Sequence, residues 1–278
     1  MNYLIIDEII KSALIEDGVF DDITSKSICN DEQEAKVDLI FKEAGILCGS
    51  HIFTRVFQII TGVEVEFYYK EGDKIEAMSQ VARIQGKVAN ILSAERVALN
   101  LLQRTCGIAT KTNNMVEALQ GTGIKIADTR KTTPNLRYIE KYAVKVGGGI
   151  NHRYNLSDMA MIKDNHIQAG GGITKAVEAV RNNNPFVKKI EVECETLLEV
   201  EEALKAKVDI IMLDNMNYET MKKASDLINK QAIIEVSGNI DLEKVEGLKD
   251  LNIDYFSSGA LTHSVKALDI SMKNLVLI

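Results

Sequence analysis

Asp209-Ile-Ile-Met-Leu-Asp-Asn215 and Ala232-Ile-Ile-Glu-Val-Ser-Gly-Asn239 flank an amphipathic stretch over 218–230. Each flanking run is short, apolar and closed by polar residues. The stretch between them has helical spacing. A strand, a covering helix and a second strand make a parallel unit, because near-continuous apolar strands belong to sheets buried on both faces. The same rhythm extends in both directions. Further apolar runs stand at 124–127, 143–146, 159–162, 189–192 and 254–256, with helices fitting at 174–182, 196–205 and 242–248. Seven such units predict an α/β architecture, a compact and incomplete β/α barrel. A doubly wound sheet is the rival, weakened because no Gly-x-Gly-x-x-Gly opens a helix after a strand.

The first hundred residues read differently. Asp7 is placed to cap a helix whose apolar positions Ile9, Ile10, Ala13 and Leu14 share a face. Alternating stretches follow at 35–41, 63–69 and 80–84, with Glu71-Gly72-Asp73 as a turn and 71–88 as a hairpin. This is a small α+β domain. A long helix over 93–120 then carries Arg96, Asn100 and Gln103 as a polar stripe, either a solvated face or one turned to a pocket or interface.

Composition narrows the function. The chain has 278 residues, with 33 Lys and Arg against 40 Asp and Glu, a net charge of −7. That argues against nucleic-acid or anionic-membrane binding over the whole surface. No apolar run approaches the roughly 20 residues of a membrane span. The first ten residues carry Asp7 and Glu8 and no basic residue, unlike a signal peptide. The cysteines at 29, 48, 106 and 194 form no Cys-x-x-Cys, so a reduced cytoplasm is the expected setting, with Cys106 and Cys194 as packing residues.

Barrel chemistry collects at the C-terminal ends of strands. Here those ends are Asp128-Thr129-Arg130-Lys131, Gly147-Gly148-Gly149 followed by His152-Arg153, Lys163-Asp164-Asn165-His166, Glu193, Asp214-Asn215, Ser237-Gly238-Asn239 and Ser257-Ser258-Gly259. Residues 125–163 hold eight Lys and Arg against three Asp and Glu. Arg130, Lys131, Arg153 and Lys163 facing one mouth call for an anion, and arginine's fork suits carboxylate or phosphate. Arg137, Lys141 and Lys145 read as surface charges. Glu193 and Asp214 hold Mg²⁺ or sugar hydroxyls, or each pairs with a rim cation; spacing leaves both open. Ser237 to Asn239 and Ser258 to Ala260 let backbone N–H groups approach a phosphate. The Gly147–149 and Gly170–172 triplets suggest loop flexibility, and His51 and His263 suggest structural roles. The residues alone reach transfer or isomerisation chemistry on a phosphosugar.

More specific are Asp128-Thr-Arg-Lys-Thr-Thr-Pro134, Asn151-His-Arg153, Ile162-Lys-Asp-Asn-His166, Glu191-Val-Glu193, Met212-Leu-Asp-Asn-Met216, Val236-Ser-Gly-Asn239 and Ser258-Gly-Ala-Leu-Thr-His263. With Glu16-Asp17, Asp22 to Ser25, Glu95-Arg96, Leu99-Asn100 and Gly107 to Thr110, this ordered set resembles the quinolinate phosphoribosyltransferases over nearly the whole chain. Two departures are Asn135 where the family often has Gly, and Cys106 where it often has Ser.

The resemblance implies an N-terminal α/β sandwich, 1–108 with 264–278 returning to it, and an incomplete, seven-strand-type β/α barrel over 109–263. It implies a homodimer, with quinolinate and phosphoribosyl pyrophosphate as substrates, Mg²⁺ as cofactor, and nicotinate mononucleotide, pyrophosphate and CO₂ as products. Arg130, His152, Arg153 and Lys163 would bind quinolinate, with Arg96 from the other subunit. Lys131, Glu193 and Asp214 would be catalytic, the two acids also candidates for the metal. Thr129 would line the substrate site, and Ser237, Gly238, Asn239, Ser258, Gly259 and Ala260 would cradle the 5′-phosphate. The rivals are a paralogue using another base, a phosphosugar isomerase or lyase, and a sensor that binds without turnover.

Overall fold

The computed structural model describes residues 1–30 and 32–278. Its residues gather into two units: Met1–Asn113 with Thr132–Gly148 and Ser264–Ile278, and Asn114–Lys131 with Gly149–His263. The first begins with α1 (Tyr3–Glu16), α2 (Ile23–Ile28), β1 (Glu34–Phe41), β2 (Gly45–Ile46), α3 (Ser50–Ile60), β3 (Val63–Phe67), β4 (Lys74–Ile75) and β5 (Ser79–Lys87), then the long α4 (Val88–Ala118). The remaining elements are β6 (Lys125–Ala127), α5 (Arg137–Val146), β7 (Ala160–Ile162), α6 (Asp164–Gly170), α7 (Ile173–Asn183), β8 (Ile190–Cys194), α8 (Leu197–Lys205), β9 (Ile210–Asp214), α9 (Tyr218–Ile228), β10 (Ile233–Ser237), α10 (Leu242–Leu248), β11 (Tyr255–Ser257), α11 (Ala260–His263) and β12 (Ile270–Leu277).

In the first unit β12, β1, β5 and β3 form one antiparallel sheet in that order. Strand alternation puts Ala35, Val37, Leu39 and Phe41 of β1 on the buried face. Phe53 anchors α3 in the core, edge-on to Phe57 at 5.2 Å and to Phe67 at 5.8 Å. Three expectations change here. Asn2, not Asp7, caps α1 by accepting from the Leu4 N–H. Asp7 instead takes both arms of Arg55 on α3, at 2.7 and 2.8 Å. The hairpin over 71–88 is absent: β4 pairs with β2, and β5 with β1 and β3. The long helix also starts at Val88, five residues before Ser93.

In the second unit six parallel strands run in the order β6, β11, β10, β9, β8, β7. The covering helices start where the side chains allow. Thr196 caps α8 reciprocally with Glu199, and Asn217 and Asp241 cap α9 and α10. Residues 143–146, expected as a strand, lie in α5 and belong to the first unit. Ile139, Ala143 and Val144 bury one helical face, and Lys141, expected at the surface, is buried with them. The seventh strand position shrinks to a single parallel bridge from Ile150 to Ala127. Gly147 is a close-packing residue rather than a flexible one, since a Cβ there would meet the Ala109 carbonyl oxygen at 2.4 Å. No described helix is long and apolar enough to cross a membrane.

Candidate active site

A cleft of about 390 Å³ opens at the C-terminal ends of the parallel strands. Its lining, all from the second unit, includes Thr129, Arg130, Lys131, His152, Arg153, Lys163, Glu193, Asp214 and Ser237. Ser257, expected at a strand end, also lines it, as do Met161, Met212 and Glu235, which the sequence reading does not place in the site. Their signal was strand alternation: Met212 stands two before Asp214, and Glu235 two before Ser237, on the same strand face.

Asp128, fully buried past the end of β6, organises the cationic side. Its carboxylate accepts from Asn151 Nδ2 at 2.6 Å and from the His152 N–H at 2.9 Å. That fixes the loop delivering His152 and Arg153. The Arg153 guanidinium donates to the Met159 carbonyl at 3.1 Å and reaches Met161 Sδ at 3.4 Å, both uncharged acceptors. Burial and the nearby charge of Arg130 pull its pKa below the ordinary guanidinium value. Such a cluster is costly until an anion joins it. Lys131 lies across Gly259, where a Cβ would meet its Cδ at 2.7 Å, and its carbonyl accepts from Thr262 Oγ1 at 2.8 Å.

His152 sits on two buried acids. Its Nε2 is 3.1 Å from Glu191 Oε2 and 3.2 Å from Glu235 Oε2. Burial works against a charged ring, but the hydrogen bonds and negative charges of both acids outweigh it and raise the pKa to about 10. The Arg153 N–H, donating to Nδ1 at 2.7 Å, opposes a second proton there. Burial also pushes the Glu191 carboxyl up.

On the anionic side Glu193 is paired with Lys163, so one of the rim-pairing alternatives is realised. Asp214 is not: it accepts from the neighbouring Asn215 Nδ2 at 2.7 Å. Carboxylate oxygens of Glu193, Glu195 and Asp214 come within 4.8 Å of one another, close enough to share one divalent ion. Gly238 has φ +97°, and a Cβ there would stand 2.3 Å from Asn215 Oδ1. Asn239 also takes a left-handed backbone, φ +48°.

Gly238, Asn239, Ser258, Gly259 and Ala260 are not part of the cleft's lining. Gly238 and Asn239 follow lining residue Ser237, and Ser258 to Ala260 follow Ser257. Ser258 is buried, its hydroxyl donating to the Ile240 carbonyl at 2.7 Å and its N–H to the Ala127 carbonyl at 3.0 Å, so neither group is open to a phosphate, unlike the sequence expectation for this residue. Arg96 is exposed on α4 in the first unit. The two departures fit locally. Asn135 adopts φ +65°, a region Asn tolerates better than most residues. Cys106 Sγ bonds the Cys48 N–H and carbonyl, both at 3.3 Å, contacts a hydroxyl could also make.

Comparison with known proteins finds one family over nearly the whole chain. Family models described as quinolinate phosphoribosyl transferase, N-terminal domain and C-terminal domain, match residues 22–106 and 108–273. The chain is 42% identical over 273 residues to a probable nicotinate-nucleotide pyrophosphorylase (carboxylating) of Bacillus subtilis, covering 98% of this chain and 94% of that one. It is 42% identical to a mitochondrial quinolinate phosphoribosyltransferase (decarboxylating) of Nicotiana tabacum, covering 96% and 81%. The crystal structure of NadC from Streptococcus pyogenes is 49% identical, covers 100% and 99%, and superposes with a TM-score of 0.96.

Proposed function

This chain belongs to the quinolinate phosphoribosyltransferase family, and from that premise we propose how its residues divide the work of the reaction. The enzyme transfers the phosphoribosyl group of phosphoribosyl pyrophosphate to quinolinate with loss of CO₂, forming nicotinate mononucleotide and pyrophosphate in NAD biosynthesis. The division of labour rests on one observation: four Lys and Arg side chains and three carboxylates, those of Glu193, Asp214 and the buried Glu235, line a single cleft.

Quinolinate carries two adjacent carboxylates. Arg130, Arg153, Lys163 and His152 are the groups to neutralise them, and an incoming dianion relieves the repulsion between Arg130 and Arg153. A monocarboxylate would leave part of that cluster unpaired, which disfavours a nicotinate-specific reading. Lys131, with Thr129 beside it, lies where the reacting groups and phosphates meet. Glu193 and Asp214 face the ribose, binding its hydroxyls and stabilising positive charge at C1 as pyrophosphate departs. The pyridine nitrogen forms the new bond to C1. The C2–carboxylate bond then breaks, its electron pair stays at C2 beside the positively charged nitrogen, and a proton replaces the CO₂. Backbone N–H groups of Ser237 to Asn239 and of Gly259 and Ala260 take the 5′-phosphate.

The acidic side suits Mg²⁺, which takes one or two protein carboxylates and completes its shell with substrate oxygens. Glu193 and Asp214 would hold it, directly or through water. Bound there, the ion would neutralise charge on pyrophosphate. The four cysteines are free thiols, which suits a reducing cytoplasm.

The proposal includes a homodimer in which Arg96 of each copy completes the other's site. Arg96→Ala and Lys131→Ala subunits are each expected to be nearly inactive alone. An equal mixture should regain up to about a quarter of wild-type activity, because about half of its dimers are hybrids and half the sites of each hybrid are intact. Hybrid dimers that form and remain inactive would contradict shared sites.

A further inference from the structure

At the floor of the cleft, Glu235, which lines it, and Glu191 beside it present an arrangement that substrate binding alone does not explain. Each stands two residues before a residue of the cleft, Glu193 on β8 and Ser237 on β10, so both point into the barrel one layer deeper. Both side chains are nearly inaccessible, at 0% and 3% exposure. Neither acid has a Lys or Arg within ion-pair distance among the described residues; each aims one oxygen at the same imidazole nitrogen, 3.1 and 3.2 Å away. Both carboxylate oxygens of Glu191 and the Oε1 of Glu235 have no hydrogen-bond partner among the described residues. Removing two carboxylates from water is expensive, and apolar side chains would fill a barrel layer at less cost. A fold that keeps them gains something other than stability.

The ring is held from both sides. Nδ1 accepts from the Arg153 N–H, so in the neutral ring the proton lies on Nε2, the nitrogen facing the acids. The His152 N–H is in turn fixed by Asp128. Ring plane, tautomer and depth are therefore all set before any substrate arrives.

We propose that Glu191 and Glu235 are positioning residues for quinolinate recognition, fixing the orientation of the His152 ring and, through its Nδ1, the Arg153 backbone, so that the Arg153 guanidinium meets a substrate carboxylate ready oriented. In this role they act through His152. The inference rests on reading Arg153 as part of the quinolinate subsite, and the two can fail separately.

The test compares Glu235→Gln, Glu191→Gln, His152→Gln and Arg153→Met, each assayed for KM of both substrates and for melting temperature. The glutamines keep size and one oxygen acceptor but remove the charge and add a competing donor. Losses on removing outer-shell partners of a binding histidine run roughly 10–100-fold. Each Glu variant should raise the quinolinate KM about 10-fold or more, leave that for phosphoribosyl pyrophosphate within about 2-fold, and not lower the melting temperature. Pairing either with His152→Gln should add nothing further, since both act through one ring. Above the pKa of the ring, histidine-selective ¹⁵N spectra should show a single Nε2-protonated tautomer at 152 in the wild type and a tautomer mixture in Glu235→Gln.

An unchanged quinolinate KM in both Glu variants, with His152→Gln impaired, would overturn the positioning role and leave the subsite reading standing. An unchanged KM in His152→Gln would overturn the positioning role, and an unchanged KM in Arg153→Met would overturn the subsite reading as well. Equal loss for both substrates with a lowered melting temperature would mark the acids as merely structural and also overturn the proposal. If Glu191→Gln fails to fold, Glu235→Gln and the spectra decide it.

Discussion

Glu193→Gln should tighten quinolinate binding even as it damages catalysis. In the ligand-free cleft the Lys163 ammonium is engaged by Glu193, and quinolinate must take that ammonium over. Lys163 is 42% exposed and Glu193 12%, so the pair lies between a surface bridge and a buried one. Exposed pairs contribute about 0.2–1 kcal/mol, and the sheltered carboxylate puts this one at about 0.5–1 kcal/mol. Removing the competing charge should therefore lower the quinolinate Kd about 2–5-fold. Lys163→Met should act oppositely. It deletes a charge-assisted hydrogen bond of about 1.5–3 kcal/mol and should weaken quinolinate roughly 10–150-fold. The double variant should match Lys163→Met, because without the lysine Glu193 has nothing to withhold. Titration calorimetry with quinolinate alone, free of phosphoribosyl pyrophosphate and metal, reads these changes directly. Weaker quinolinate binding in Glu193→Gln would refute the competition, and so would the same gain appearing in the Lys163→Met background.

Two further expectations concern the scaffold. Arg104 Nε donates to the fully buried Glu140 at 2.7 Å, and its Nη2 to Thr133 Oγ1 at 2.7 Å. Arg104→Met strands that carboxylate and should cost about 3–5 kcal/mol in urea unfolding, with Glu140→Gln restoring part of it; a loss under 1 kcal/mol would contradict the pairing. Gly238→Ala imposes about 1–2 kcal/mol of backbone strain and drives a Cβ into Asn215, the partner of Asp214. It should raise the KM for phosphoribosyl pyrophosphate more than that for quinolinate, and a selective effect on quinolinate would contradict the phosphate-loop assignment.

Six of the seven expected barrel strands were legible because a parallel strand buried on both faces writes its burial into four or five consecutive apolar residues. The run at 143–146 is equally apolar, yet it closes a helix whose buried face also uses Ile139 and Glu140. A short apolar run carries no period of its own, and only its neighbours could have arbitrated. Asp7 shows a second limit. A cap is a local matter, but the Arg55 that claims Asp7 lies 48 residues away, and nothing near Asp7 announces it. The β2–β4 pairing is invisible for the same reason, since two-residue strands have no alternation to read.

The rim of the site was readable because its residues stand next to strand ends, where sequence order and spatial order coincide. Lys141 was misread because charge was taken as a sign of exposure; it is 1% exposed. Glu191 and Glu235 carried a usable signal that went unread. Each is a lone acid inside an otherwise apolar run, in Ile190-Glu-Val192 and in Ile233-Ile-Glu-Val236. A charge at an inward position of a buried strand requires a partner, and here the partner is His152, brought from a different loop by Asp128.

The substrate assignment stands or falls on a single reaction of purified protein with phosphoribosyl pyrophosphate and Mg²⁺, run in parallel with quinolinate and with nicotinate, and scored for CO₂ and nicotinate mononucleotide. A cleft built for two carboxylates should release CO₂ and form the mononucleotide in equal amounts from quinolinate and form no product from nicotinate. Mononucleotide from nicotinate, or none from quinolinate by a folded protein that still binds phosphoribosyl pyrophosphate, would contradict it.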